Sequence, residues 1–265
     1  MMLKNIILDF IKDKNLKYSI FIKDLNSNEI CSINQRLVIP SASIIKLFIM
    51  AKSFQLVSKG ELNLGDRICI NKKERVPYSI IYDLDEENTY TIRDLITLMI
   101  IQSDNTATNQ LIQMLGIENI NKFIIDLGFM DTILKRKMMD FDARILGMEN
   151  YTTAYDVAKL LELLNKGELI NKECSAEMLR IMKMQLDNSM MRHNLDEKLI
   201  VAHKTGDLPF IKHDGGIVYT KDKNYIFTMM TWDATCDNYA RYIIGKVSKI
   251  AYDYLILGCV QNEKY

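Results

Sequence analysis

Ser43 and Lys46 lie three residues apart at the start of a strongly apolar run, Leu47-Phe-Ile-Met-Ala51. If that run is helical, residues three apart share a face, and the hydroxyl and the amine can meet. A serine is a weak nucleophile until a neighbouring base takes its proton, and a lysine can be that base only when its pKa is lowered. Apolar flanks and a second cation nearby both push it down. A serine at a helix N-terminus also carries its backbone N–H to a place where an oxyanion can be held. The chemistry these residues offer is acyl transfer. The S-x-x-K spacing alone is cheap, because a chain of this length is expected to contain one by chance.

Two further triplets could complete such a site. Ser103-Asp104-Asn105 falls between two helical stretches, Leu95–Ile101 and Thr106–Leu115. Its simplest reading is a helix N-cap, with Asp104 or Ser103 satisfying free N–H groups of the next helix. Lys204-Thr205-Gly206 ends a strand read over Leu199–Ala202, and its simplest reading is a strand followed by a glycine turn. Beside a catalytic serine, however, that lysine would be a fixed cation, and the glycine would let a substrate lie flat on the strand backbone.

The elements that must position these residues can be read from periodicity. Leu3, Ile6, Ile7, Phe10 and Ile11 recur at helical spacing, so the N-terminus predicts a helix docked on a core. Tyr18–Lys23 and Glu29–Ile33, separated by Asn26-Ser27-Asn28, predict a hairpin. From Ser43 to Lys198 the pattern is helical, with Thr91-Ile-Arg-Asp94 as a capping box and Gly116 and Gly128 as helix stops. Leu199–Ala202, Gly216–Tyr219 and Tyr225–Met229 predict three strands, and a stripe from Ala240 to Leu257 predicts a closing amphipathic helix. The fold class is therefore mixed α/β (α+β). Residues 1–42 and 199–265 form an antiparallel sheet flanked by terminal helices, and residues 43–198 form an all-helical part inserted between them, all within one unit.

Composition narrows the partners. The 34 basic and 34 acidic residues cancel, which gives no electrostatic reason for nucleic acid or an anionic membrane as partner. Cys31, Cys69, Cys174, Cys236 and Cys259 are scattered and read as buried thiols. His193, His203 and His213 match no zinc spacing, so neither metal nor other cofactor is expected. No segment has the length of a membrane span and no signal-peptide pattern opens the chain. A soluble monomer acting on a small molecule is expected, cytoplasmic unless an export signal lies outside this sequence.

The three motifs become informative in combination. In this order and context the sequence resembles the penicillin-recognising serine hydrolases, class A β-lactamases in particular, whose signature is S-x-x-K, S-D-N and K-T-G. The resemblance covers nearly the whole chain. It implies that Ser43 attacks the substrate carbonyl, Lys46 helps to deprotonate it, and Ser103 relays a proton to the leaving nitrogen. It implies that Asn105 holds the substrate amide, and that Lys204 and Thr205, with Gly206, bind the substrate carboxylate. The backbone N–H groups of Ser43 and Asp207 would form the oxyanion hole. The family commonly adds an arginine on the next strand; Lys212 and His213 stand there instead, with His213 as the candidate ligand.

One part of the pattern fails. Class A enzymes need a glutamate on the loop between the second and third motifs, to activate the water that releases the acyl-enzyme. In Thr132–Asp142 that position falls on Met138, which cannot accept a proton, and the position of a companion asparagine falls on Asp142. Either Asp140 or Asp142 takes over as base, or deacylation is slow and β-lactams are trapped. The bland reading of the two aspartates is a solvated loop end paired with Arg136. Three functions remain open: a β-lactamase-like hydrolase, a D-Ala peptidase or esterase that β-lactams acylate, and a catalytically weak binding or sensing domain.

Overall fold

A computed structural model describes residues 2–258; Cys259 lies outside the described residues. Five antiparallel strands form the main sheet. In spatial order they are Ile30–Ile33, Lys17–Asp24, Asn224–Trp232, Ile211–Tyr219 and Ile200–Leu208. The first two belong to the chain's start and the last three to its end. Lys17–Asp24 pairs along its whole length with Asn224–Trp232, which brings the two termini into one sheet.

The central strands are buried on both faces, so apolar residues run through them continuously. On one face Tyr225, Phe227 and Met229 pack with Ile20 and Ile22 against the terminal helices Leu3–Ile11 and Asp237–Tyr252. On the other, Ile226, Met230, Ile217 and Phe21 join the core shared with the helical part. At the centre of that part lies the helix Lys46–Ser58, whose residues Leu47 to Ala51 are all buried. A helix apolar all round must be enclosed, and helices Ile92–Ile101, Asn105–Leu115, Ile117–Asp126 and Lys172–Met182 pack against it.

Local signals explain most boundaries. Thr91 and Asp94 form the capping box, and Gly116 and Gly128 take positive φ at helix ends. The three C-terminal strands run longer than their apolar patches: Lys204-Thr205-Gly206 lies inside a strand ending at Leu208, where the sequence suggested a strand end followed by a turn. The middle of the chain is not wholly helical either. Arg67–Cys69 pairs with Thr89–Thr91, and Ile39–Pro40 with Tyr151–Thr152. These ladders are two or three residues long, too short to leave a period-2 signature. Of the described cysteines, Cys31 and Cys174 are buried, whereas Cys69 and Cys236 are exposed.

Candidate active site

Ser43 sits in a 3₁₀ turn, Ala42–Ile45, that leads into the Lys46–Ser58 helix. Ala42 is held at φ 45°, a left-handed conformation that swings the chain sharply into the turn. The Ser43 N–H belongs to the first turn, where backbone donors have no partner within the helix. The strand Ile200–Leu208 passes directly beside it. A Cβ on Gly206 would come within 3.2 Å of Ala42 Cβ and 3.1 Å of Ile44 Cγ1. Glycine at this position therefore makes room for the serine turn, a role sequence reading had assigned to substrate.

Lys46 is fully buried. Its Nζ lies 2.7 Å from the Ser103 carbonyl oxygen, 2.9 Å from Asn105 Oδ1 and 3.1 Å from Ser103 Oγ. Burial, reinforced by the neighbouring Lys204 charge, pushes its pKa well below the usual lysine range. Once deprotonated, the amine would keep two N–H donors and one lone pair. The Ser103 carbonyl and Asn105 Oδ1 can only accept, so they would take the two donors and leave the lone pair facing the Ser103 hydroxyl. Lys204, also fully buried, lies with its Nζ 3.1 Å from that hydroxyl and donates to the Thr205 carbonyl at 2.8 Å. Burial lowers its pKa to about 8. Ser103 thus bridges two lysines, and it reaches this position through an uncommon positive φ of 56°. Asp104 has the structural role expected of it. It caps the next helix through Ala107 N at 2.8 Å and accepts from Ser79 Oγ at 2.7 Å.

A cavity of about 540 Å³ opens beside Ser43. Its wall includes Ser103, Asn105, Tyr78, Met138, Asp207 and Asp237. Lys46, Lys204 and Thr205 are not part of that wall; the two lysines reach it through the Ser103 hydroxyl. On the free sheet edge, the register Leu208↔Ile211 and Asp207↔Lys212 is continuous up to the two-residue turn Pro209-Phe210. In such a hairpin the pair next to the turn exchanges ladder hydrogen bonds and the following pair does not. The Asp207 N–H accordingly points away from the neighbouring strand, towards the open edge.

His213 is not brought to the cavity. It is fully buried, with Nε2 2.8 Å from the Pro40 carbonyl, and burial pushes its pKa down. Its Nδ1 faces the Lys212 carbonyl at 2.8 Å, so both ring nitrogens are engaged by backbone and neither is offered to a carboxylate; the imidazole ties the strand to the segment before Ser43.

The loop after Arg136 departs furthest from expectation. Asp140 caps the short helix Phe141–Ile145 through Ala143 N at 3.0 Å, and Asp142 is exposed. Neither lines the cavity. Arg136 pairs not with them but with Glu149, at 3.0 Å from Nε and 2.6 Å from Nη2, and both partners are buried. Arg144 approaches the other Glu149 oxygen at 3.3 Å. Asn150 clamps the same neck, accepting from Lys135 N at 2.7 Å and Arg136 N at 3.0 Å. Met138 is fixed from the other side. Asn109 accepts from its N–H at 2.7 Å and donates to its carbonyl at 3.0 Å. Glu149, Asn150 and Asn109 carry no motif of their own, so sequence reading missed them.

Two outcomes follow. Arg136→Ala leaves the buried Glu149 carboxylate with Arg144 and the Asn150 N–H as its remaining partners, and should lower stability by about 3 kcal/mol in a thermal melt. Asp140→Ala should cost about 1 kcal/mol through the lost cap, and neither it nor Asp142→Ala should change the rate of acyl-enzyme hydrolysis measured by intact mass.

The sequence model of the β-lactamase enzyme family matches residues 2–255. The chain belongs to that family. Among its relatives, β-lactamase VEB-1 of Pseudomonas aeruginosa is 23% identical, with 93% of this chain and 88% of the relative covered. An imipenem-hydrolysing β-lactamase of Enterobacter cloacae is 24% identical over 96% of this chain and 88% of its own. Among solved structures, PBP-A is 26% identical with a TM-score of 0.87, covering 95% of this chain and 94% of that one. A β-lactamase of Sphaerobacter thermophilus is 25% identical with a TM-score of 0.88, covering 94% and 95%. This β-lactamase-family chain is a class A-like serine hydrolase, and its antiparallel sheet with a helical part is the fold of those neighbours.

Proposed function

We propose that this enzyme opens the β-lactam amide by transferring its acyl group to Ser43, and that the acyl-enzyme is released slowly. The observation that carries the first half is the buried Lys46–Ser103–Lys204 chain. Lys46, whose pKa burial lowers, takes the Ser43 proton directly or through Ser103. Ser103 then delivers a proton to the β-lactam nitrogen as the ring opens. Lys204 keeps the Ser103 hydroxyl polarised and supplies the positive charge that draws in the substrate carboxylate. The N–H groups of Ser43 and Asp207 stabilise the oxyanion, each worth about 3 kcal/mol in such sites. One of the neighbouring solved structures, a PBP-A mutant, is an acyl-enzyme complex with penicillin G, which supports acylation as the shared step.

Slow release follows from the loop. Met138 offers no base, and each carboxylate on the cavity wall is engaged: Glu149 by Arg136 and Arg144, Asp207 by Lys212 and Arg241, and Asp237 by Lys212. This favours a second reading of the natural role: a D-Ala-type peptide or small ester as substrate, with β-lactams as acylating mimics. Mixing the enzyme with a chromogenic cephalosporin while following colour and intact mass separates the readings. One burst with a persistent adduct supports slow release; sustained turnover with no accumulating adduct would sink it. No adduct and no turnover would remove β-lactams as substrates.

The lysines also set a pH dependence. Acylation needs Lys46 neutral, so its rate rises with pH on the acid side. Lys204 is cationic below about pH 8 and loses its charge above it. The second-order acylation rate of a carboxylate-bearing penicillin should therefore fall as pH rises through about 8. The methyl ester of the same penicillin, lacking the anion, should show no such fall in a stopped-flow comparison.

A further inference from the structure

The cavity wall near Asp207 carries a charged cluster that the chemistry above leaves unused. Lys212, opposite Asp207 on the neighbouring strand, is fully buried. Its Nζ lies 2.7 Å from Asp207 Oδ1, 2.9 Å from Asp237 Oδ1 and 2.8 Å from the Leu208 carbonyl, one acceptor for each N–H. Arg241, from the helix Asp237–Tyr252, donates to the second Asp207 oxygen and to Ser189 Oγ, and faces Asp187 at 3.5 Å. Asp237 also accepts from the N–H of Phe210 at 2.7 Å, holding the hairpin turn at its positive φ of 62°.

Such a cluster is an expensive way to stabilise a hairpin. Burying an ammonium costs several kcal/mol before its partners repay it, and apolar side chains would often serve stability as well. What the cluster does supply is geometry at one place. Asp207 belongs to an edge strand, in a pair that makes no ladder hydrogen bonds, two residues from a turn. Its backbone has nothing on the open side to hold it, and the constraint comes through its carboxylate, gripped on one oxygen by Lys212 and on the other by Arg241.

We propose that Lys212 and Arg241 are positioning residues for acylation: by locking the Asp207 carboxylate from two sides they fix the Asp207 N–H where the oxyanion forms. This rests on the reading of Ser43 and Asp207 given above. An ångström of misplacement in such a site can cost about a hundredfold, so the grip sets the rate of acylation and not the affinity for substrate.

The test uses the full chain with Arg241→Gln, Arg241→Lys, Lys212→Met and Asp207→Asn. Hydrogen exchange of the Asp207 amide is read by NMR in the free protein, and the penicillin G acylation rate by stopped flow with mass detection. Arg241→Gln should speed Asp207 exchange roughly tenfold or more and slow acylation by roughly 10- to 100-fold, with the initial dissociation constant within about twofold. Amides of the central strand Asn224–Trp232 should exchange as before. Arg241→Lys should recover most of the rate, and Lys212→Met should act like Arg241→Gln. Asp207→Asn should slow acylation similarly, and adding Arg241→Gln to it should slow it little further, because both act through one carboxylate. Unchanged acylation in folded Arg241→Gln, or losses that simply add, would overturn the proposal. If wild-type protein forms no adduct, the reading of Ser43 fails on its own; the exchange measurement then decides the grip, which an unchanged Asp207 amide would refute.

Discussion

Ser43→Ala should lose covalent capture of penicillin altogether, with the acylation rate falling by on the order of 10⁶-fold, as when a nucleophile is removed from an integrated catalytic unit. The reason for expecting so complete a loss is that no other hydroxyl is placed to substitute. Ser103 Oγ lies against Lys46 and Lys204, and its backbone belongs to a different turn, without the two edge N–H groups that would receive an oxyanion. The substitution removes one oxygen from a half-exposed position and should leave thermal stability nearly unchanged, so the loss reports chemistry. Lys46→Met is the informative companion. It removes the base, worth roughly 10²- to 10⁴-fold, and strips the Ser103 carbonyl and Asn105 Oδ1 of a buried donor, which costs about 1–3 kcal/mol for each group. Acylation and stability should fall together. Time-resolved intact mass is the measurement. A wild-type-like adduct on Ser43→Ala would place the nucleophile elsewhere and undo the assignment.

Met138→Glu should produce the opposite change, on the second half of the cycle. Acylation should be little affected, while hydrolysis of the acyl-enzyme accelerates by roughly 10²- to 10⁴-fold, the usual contribution of a positioned general base. The backbone at this position is already fixed, because the Asn109 amide brackets both the N–H and the carbonyl of Met138. The side chain lines the cavity and is largely buried. A carboxylate placed there would be partly desolvated, which raises its pKa towards the range useful for a base. The same desolvation predicts a lower melting temperature. Adduct lifetime, measured by chasing a penicillin-labelled enzyme, gives the answer directly. A lifetime unchanged in folded Met138→Glu would mean that release is limited by access of water, and not by the missing base.

The candidate groups of this site are legible from sequence because each set is local. Ser43 and Lys46 are three residues apart, Ser103 and Asn105 two, and Lys204, Thr205 and Gly206 are adjacent. Spacing sets each group within one short segment; the contacts that join the groups, Lys46 to Ser103 and Asn105 and Lys204 to Ser103, are tertiary. Alternating and helical apolar patterns likewise announced the terminal hairpin, the capping box at Thr91 and the enclosed helix after Lys46. The loop was not legible. Asp140 and Asp142 are the right residue types in the right stretch, yet one caps a helix and the other faces water.

The sequence by itself determined the candidate groups for the chemistry and that two terminal segments would build the sheet. Tertiary structure decided how those groups are tuned and held. It alone buries Lys46 and Lys204 around one hydroxyl, because a lowered pKa depends on how much water the surrounding helices exclude. It alone couples Arg136 to Glu149 across the loop and Arg241 to Asp207 across the sheet. Ion pairs between residues 13 and 34 positions apart leave no period in a sequence; they exist only once packing has set the distance.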